Sequence, residues 1–231
     1  MSQLQIKNAI PSACWSCNFE TPDAHFCTAC GRIQTLPQGA DYFTLLELPQ
    51  KLQIDAAELE KKFHALNWKL HPDNFTNATE RERALSVEQS SKINDAYRTL
   101  RDPVRRVEYL LQRAGVRKEG TTKQQAPPEL LEEVFELNEM LDELRETRSS
   151  KSAETLALKA KLEAAEHQFE RKLEEVDAEL FAQFAQWDAA VEKGADESAR
   201  AAVMQRMNEI LNRRSYIRNL VTGVAKELAE T

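Results

Sequence analysis

Glycine is scarce in this chain, with 6 in 231 residues, and none of them forms a Gly-rich phosphate loop. A nucleotide-binding fold is not expected on that ground, nor is the chain expected to hydrolyse ATP itself. No apolar run is long enough to cross a bilayer. The first dozen residues hold one Lys and no apolar core, so they are not a secretory signal, and they lack the Arg-rich pattern of a transit peptide. A cytoplasmic location is therefore expected. A basic excess is also missing: the net charge is −7. Residues 41–115 balance 12 acids against 12 Lys and Arg, whereas residues 129–231 hold 23 acids and 14 bases. Phosphate recognition needs an excess of Lys and Arg, so nucleic acid is not an expected ligand. An acidic half suits a basic protein partner better.

What is present is helix-forming sequence. Hydrophobic residues make up 42% and charged residues 30%, the profile of a soluble, mostly helical protein. The length allows one large or two small domains plus a module.

The four cysteines form two pairs, Cys14-x-x-Cys17 and Cys27-x-x-Cys30, nine residues apart. Each pair is a tight turn that can aim two thiolates at one point, and two turns supply a tetrahedral site that suits Zn²⁺. Gly31, after Cys30, allows the left-handed backbone such a turn needs. The expected product is a compact knuckle over 14–36, folded mostly by its metal, with Trp15, Phe19 and Phe26 as walls. Two disulfides fit a reducing compartment poorly, and no βαβ pattern supports a thioredoxin-like redox pair. Rubredoxin-like iron stays open as the rival to structural zinc. His25 would be a ligand only if a cysteine were missing. Residues 1–13 carry no signal and read as a loose leader.

Asp55 to Leu70 reads as a helix. Asp55 is the N-cap, Glu58 would complete a capping box, and Ile54 with Leu59 would staple it. Leu59, Phe63, Leu66 and Leu70 make one buried stripe, and Lys61, Lys62 and Lys69 lie off it, facing water. Pro72 ends the helix and biases His71 away from helical geometry. His71-Pro72-Asp73 is thus a loop at the tip of a helical hairpin whose second helix is Thr79 to Leu100. Asp102 and Pro103 start a short further helix that Gly115 closes.

Alone, His-Pro-Asp means only a turn. Its frame is more specific: DYFTLLELP from Asp41, LHPDNF from Leu70, and SSKINDAYRTLRDPVRRVEYLL from Ser90. This order resembles a J-domain, the module that docks on DnaK-type ATPases and triggers their hydrolysis of ATP, and its wording is similar to the HscB family of iron–sulfur co-chaperones. The resemblance is strong over 41–115 and looser beyond. It implies that His71, Pro72 and Asp73 engage the ATPase and that Lys61, Lys62 and Lys69 steer it electrostatically. Asn74 is a departure, because many J-domains place Lys there, and it removes one positive charge from the docking surface. Some HscB relatives also carry a paired-CxxC segment, in agreement with the knuckle.

Residues 37–40 form a short linker and 116–128 a connector without periodicity; Pro128 then fits the first turn of a new helix. Three helices are expected over 129–231: about 129–148, 152–191 and 196–228. Leu130, Val134, Leu137, Leu141 and Leu144 stripe the first. The second has a seam from Leu158 through Phe169, Leu180 and Trp187 to Val191, and Gly194 breaks it. The third uses Val203, Met207, Ile210, Arg214, Ile217, Val221, Val224 and Leu228. A dimeric coiled coil would use the same pattern, but short links favour an antiparallel three-helix bundle. The fold class is therefore mostly α: a Cys₄ knuckle, a J-domain of antiparallel hairpin plus short helices, then the bundle.

Leu131 and Phe135 sit beside the first bundle stripe, one turn apart, and residues 129–144 hold seven acids and no base. A wide core stripe with a solvated acidic face explains this; so does a binding patch of two apolar groups rimmed by carboxylates. In the HscB family this region holds the IscU-type scaffold on which clusters are built. The resemblance implies contacts from Leu131, Phe135, Glu136, Glu139 and Glu143, and from Met207 of the third helix. The expected function is a co-chaperone, not an enzyme, activating a DnaK/HscA-type ATPase and delivering the scaffold. The rivals are a general J-domain co-chaperone for unfolded clients and a Cys₄ metal or redox protein. No nucleophile–base arrangement in the sequence favours the last.

Overall fold

Residues 12–21, 25–37, 39–117, 127–147 and 153–230 are described by a computed structural model of the chain. The expected leader up to residue 11 and the connector at 118–126 lie outside the described residues, as do Arg148 and Ser152 at helix ends. The chain divides into two compact units, Met1–Leu110 and Leu111–Thr231.

The first unit opens with two short strands, β1 (Ser12–Ala13) and β2 (Glu20–Thr21), paired antiparallel. Helices α1 (Tyr42–Leu45), α2 (Ala56–Leu70), α3 (Glu80–Leu100) and α4 (Pro103–Arg113) follow. Asp55 and Asp102 cap α2 and α4 as expected, accepting from Ala57 and from Val104 and Arg105, and Asp41 caps α1 by accepting from the Thr44 N–H. The capping box expected at Asp55 and Glu58 is instead at Thr79 and Glu82. There the Thr-x-x-Glu spacing lets each side chain reach the other's backbone N–H. Glu58 turns to Lys62, 3.4 Å away.

Leu59, Phe63, Leu66 and Leu70 of α2 meet Leu85, Ile93, Ala96 and Leu100 of α3 in one core with Phe43 and Leu46. Each Leu, Ile or Phe among them contributes about 1.5–3 kcal/mol of burial free energy. The last carbonyl of α2, on Leu70, would be an orphan in the core. Ser86 and Ser90 both donate to it at 2.7 Å. Tyr42 and Tyr109 stack at 4.2 Å and clamp α1 to α4, with the Tyr42 N–H donating to the Tyr109 hydroxyl.

The second unit contains α5 (Leu131–Thr147), α6 (Ala153–Glu192) and α7 (Glu197–Ala229). At about 1.5 Å per residue, the 40 residues of α6 span roughly 60 Å. Gly194, at φ +59°, makes the left-handed turn between α6 and α7. Ion pairs fix the directions. Glu133 with Lys172 pairs α5 to α6, and Asp177 with Arg214 and Glu179 with Arg206 pair α6 to α7. From Asp177–Arg214 to Glu179–Arg206 the numbers rise on α6 and fall on α7, so these two are antiparallel; from Glu129–Arg213 to Arg145–Glu227 they rise together, so α5 runs with α7 and against α6. Arg145 with Glu227 closes α5 onto α7. This is the expected antiparallel three-helix bundle.

Leu130, Val134, Leu137, Leu141 and Leu144 are all buried, as the stripe predicts. The α7 seam differs in detail. Met204 is buried where Val203 was expected, and Leu211 and Ser215 join Ile210, Ile217 and Val224. Arg214 is not an apolar seam position; its guanidinium turns aside to Asp177.

Candidate functional site

The knuckle is built from two copies of one turn. In the first, the Asn18 N–H donates to the Cys14 carbonyl at 2.9 Å and the Cys14 N–H to Phe19 at 2.8 Å. In the second, Gly31 donates to Cys27 at 2.8 Å and Cys27 to Arg32 at 2.8 Å. The residue after each second cysteine is left-handed, Gly31 at φ +73° and Asn18 at φ +57°. Asn tolerates this region better than most residues, so the repeat was present in the sequence at both positions.

The four sulfurs lie within 4.8 Å of one another, with Cys14 to Cys30 and Cys17 to Cys27 each at 3.7 Å. Sulfurs about 2.3 Å from a tetrahedral centre sit about 3.8 Å apart, so the donor set fits a Cys₄ metal. All four cysteines are free thiols, which removes the disulfide reading. Burial opposes the Cys14 thiolate, but the N–H groups of Ser16 and Cys17 and the neighbouring thiols bring its pKa down to about 6. The Phe19 backbone favours the Cys17 thiolate, yet burial and the other three sulfurs push that thiol up to about 12. Four thiolates this close need a cation among them.

His25 is no ligand; it is buried, with Nε2 2.8 Å from the Leu45 carbonyl and Nδ1 2.8 Å from Oε1 of Gln89. Ile33 is fully buried within the helical core and Phe26 packs against it. Trp15 donates to the Ile33 carbonyl at 2.7 Å and lies beneath the guanidinium of Arg81 on α3. The knuckle, expected to rely on its metal and a few walls, is part of the first unit's core.

At the hairpin tip, His71 ends α2 and Pro72–Phe75 form a 3-10 turn, not an open loop. Asp73 donates its N–H to His71 Nδ1 at 3.3 Å, and the Asp73 carboxylate lies 3.4 Å from the same nitrogen. Both side chains face solvent. Asn74 donates to the Trp68 carbonyl at 2.6 Å, fastening the turn to the helix end. Lys61 and Lys69 are exposed. Lys62 is half-buried and donates to the Glu47 carbonyl at 2.5 Å, bracing the segment after α1 against α2. Trp68, not singled out from the sequence, projects from α2 with 78% of its surface exposed.

On α5, Leu131 and Phe135 are 55% and 64% exposed, and Glu136, Glu139 and Glu143 are exposed around them. The helix turns these residues outward while its stripe faces the bundle. Met207 does not join this surface. It is fully buried on the α7 seam, so it supports the bundle from within and offers no contact.

A DnaJ domain model matches residues 41–109. The co-chaperone protein HscB homolog of Vibrio cholerae serotype O1 is 43% identical over 102 residues. That match covers 44% of this chain and 60% of that protein. The homolog of Vibrio parahaemolyticus is 38% identical over 113 residues, covering 49% of this chain and 66% of that protein. The matches thus span about two thirds or less of these relatives' length. Among solved structures, human co-chaperone protein HscB is similar over 94% of this chain and 98% of its own, with a TM-score of 0.65 at 24% identity. That likeness is one of fold.

Proposed function

We propose that this chain, which belongs to the HscB family of J-domain co-chaperones, stimulates a DnaK/HscA-type ATPase through its first unit and carries an IscU-type iron–sulfur scaffold on its second. The observation that carries the reading is the tip of the α2–α3 hairpin: His71 and Asp73 are held against each other, in solvent, at the end of a helix bearing Lys61 and Lys69. Such a tip performs no chemistry. It acts by binding one conformational state of the ATPase better than another, which shifts that partner's equilibrium.

The outward apolar pair Leu131 and Phe135, rimmed by Glu136, Glu139 and Glu143, supports a docking patch for the scaffold. Its charge suits a basic partner. Holding client and ATPase in one chain raises the concentration of each near the other. The domain roles follow as knuckle 14–36, J-domain 41–115, connector 116–128 and scaffold-binding bundle 129–231.

Cys14, Cys17, Cys27 and Cys30 would hold zinc, whose closed four-sulfur shell supplies a structural cross-link and no open position for reaction. Metal analysis of the purified protein separates zinc from iron. A thiol-rich, metal-suited site also supports a reducing, cytoplasmic setting.

The test is steady-state ATP hydrolysis by an HscA-type ATPase, with this protein present, with and without scaffold, and with His71→Gln. Stimulation that grows with scaffold and vanishes in His71→Gln is expected. Stimulation indifferent to scaffold would leave a general J-domain co-chaperone. The absence of stimulation would reduce the tip to a turn.

A further inference from the structure

We infer that Trp68 is an apolar anchor for the ATPase partner, whose indole seats in a shallow apolar hollow bordered by carboxylates. The inference rests on the J-domain reading above and adds a residue and a binding chemistry to it.

Among the described large hydrophobic side chains with high exposure, Trp68 is the most exposed, at 78% against 66% for Leu156 and 64% for Phe135. Its helix has a core stripe at Leu59, Phe63, Leu66 and Leu70, all buried. Trp68 falls on the opposite side, in line with Lys61 and Ala65 at the i, i+4 and i+7 spacing of one helical face. Exposure is thus imposed by the helix, and Ala65 leaves a flat shelf beside the ring. An indole presented on a rigid helix loses little conformational freedom when it is covered, and Trp is the residue type most often dominant in a protein contact.

The position is coupled to the tip. The Trp68 carbonyl accepts from the Asn74 side chain at 2.6 Å and from the His71 N–H at 3.4 Å. Any partner that grips His71-Pro72-Asp73 from the α2 side meets Trp68 within one turn of helix. Lys61 and Lys69 flank it, so the surface that receives the ring must also be acidic. Asn74 is uncharged, and its amide is spent inward on the helix end. The tip therefore carries no cation at this position and has an exposed indole beside it. Its docking should depend less on salt than a purely ionic contact would.

The test uses the full chain as wild type, Trp68→Ala, Trp68→Phe and His71→Gln, titrated into an HscA-type ATPase at low and high salt. Trp68→Ala should raise the concentration for half-maximal stimulation about tenfold, with the maximal rate and thermal midpoint unchanged. Trp68→Phe should recover most of the loss, and the loss in Trp68→Ala should be the same factor at low and high salt, because the ionic contacts of Lys61 and Lys69 are unchanged. If Trp68→Ala titrates like wild type while His71→Gln abolishes stimulation, the anchor is overturned and the J-domain reading stands. If Trp68→Ala weakens scaffold binding but not stimulation, the ring belongs to the client, and the inference is again overturned. If wild type does not stimulate, the reading and the anchor fall together.

Discussion

Nδ1 of His25 lies 2.8 Å from Oε1 of Gln89, a buried contact between the cysteine knuckle and the middle of α3, 64 residues away in the chain. The other end of the Gln89 amide donates to the Gln34 carbonyl at 2.5 Å, just past the second pair of cysteines. Gln89 thereby ties both flanks of the second cysteine turn to the helical core. His25 holds Leu45 of α1 with its remaining nitrogen.

Gln89→Ala should therefore destabilise the protein by more than a surface change would. It leaves the Gln34 carbonyl and a His25 nitrogen buried without partners, at about 1–3 kcal/mol each. Denaturant unfolding should show a lower midpoint at an unchanged slope. A midpoint equal to wild type would mean that the latch adds nothing to stability.

Metal removal should act through the same latch. Without a cation, the crowded thiols of Cys14, Cys17, Cys27 and Cys30 no longer close the two turns, and His25 and Gln34 lose their fixed places. Chelation should lower the thermal midpoint of wild type. It should also shrink the difference between wild type and Gln89→Ala, because the two changes share one interaction. Additive effects would argue that knuckle and α3 are energetically separate.

The helices were legible because each carries a local code. The α2 and α5 stripes are periodic, the caps are Asp or Thr, and Gly31, Gly115 and Gly194 stand where φ is positive. The two CxxC turns were legible for the same reason. The latch was not, since nothing near His25 or Gln89 in the sequence announces a partner so far away. The resemblance puts Met207 on the scaffold surface, although its own seam spacing marks it as core. The α2 stripe that places Lys61 in water places Trp68 there as well. The spacing at Asp55 and Glu58 suggests a capping box, but the Thr-x-x-Glu spacing that forms one lies at Thr79.

That box gives the first unit an acid-sensitive end. The Thr79 hydroxyl and backbone N–H, outweighing burial, hold the Glu82 carboxyl below its ordinary 4.5, with Arg32 adding to the effect. A carboxyl lowered in the folded state stabilises fully above its unfolded value. That contribution is lost as pH falls through the lowered one. Thermal midpoints should thus fall below about pH 4.5, less steeply in Glu82→Gln. Thr79→Ala should lower stability by about 1 kcal/mol at neutral pH through the lost cap. Parallel acid limbs in wild type and Glu82→Gln would place the sensitivity elsewhere.

The α5 patch can be separated from the bundle that carries it. Leu131 and Phe135 are exposed, so Leu131→Ala with Phe135→Ala should change stability by no more than about 0.5 kcal/mol per site. Leu137, two residues beyond Phe135 but 1% exposed, should cost about 2–5 kcal/mol when cut to Ala. Scaffold binding should weaken more than tenfold in the double variant, because large apolar side chains at the centre of a patch carry most of its affinity. Replacing Glu136, Glu139 and Glu143 by Gln should mainly slow association and flatten its salt dependence, since rim charges steer encounter more than they hold the complex. The readout is association and dissociation kinetics of an IscU-type scaffold on the immobilised full chain. A double variant that binds scaffold as wild type does would leave α5 a solvated acidic face, and would shift the client from one scaffold to unfolded chains in general.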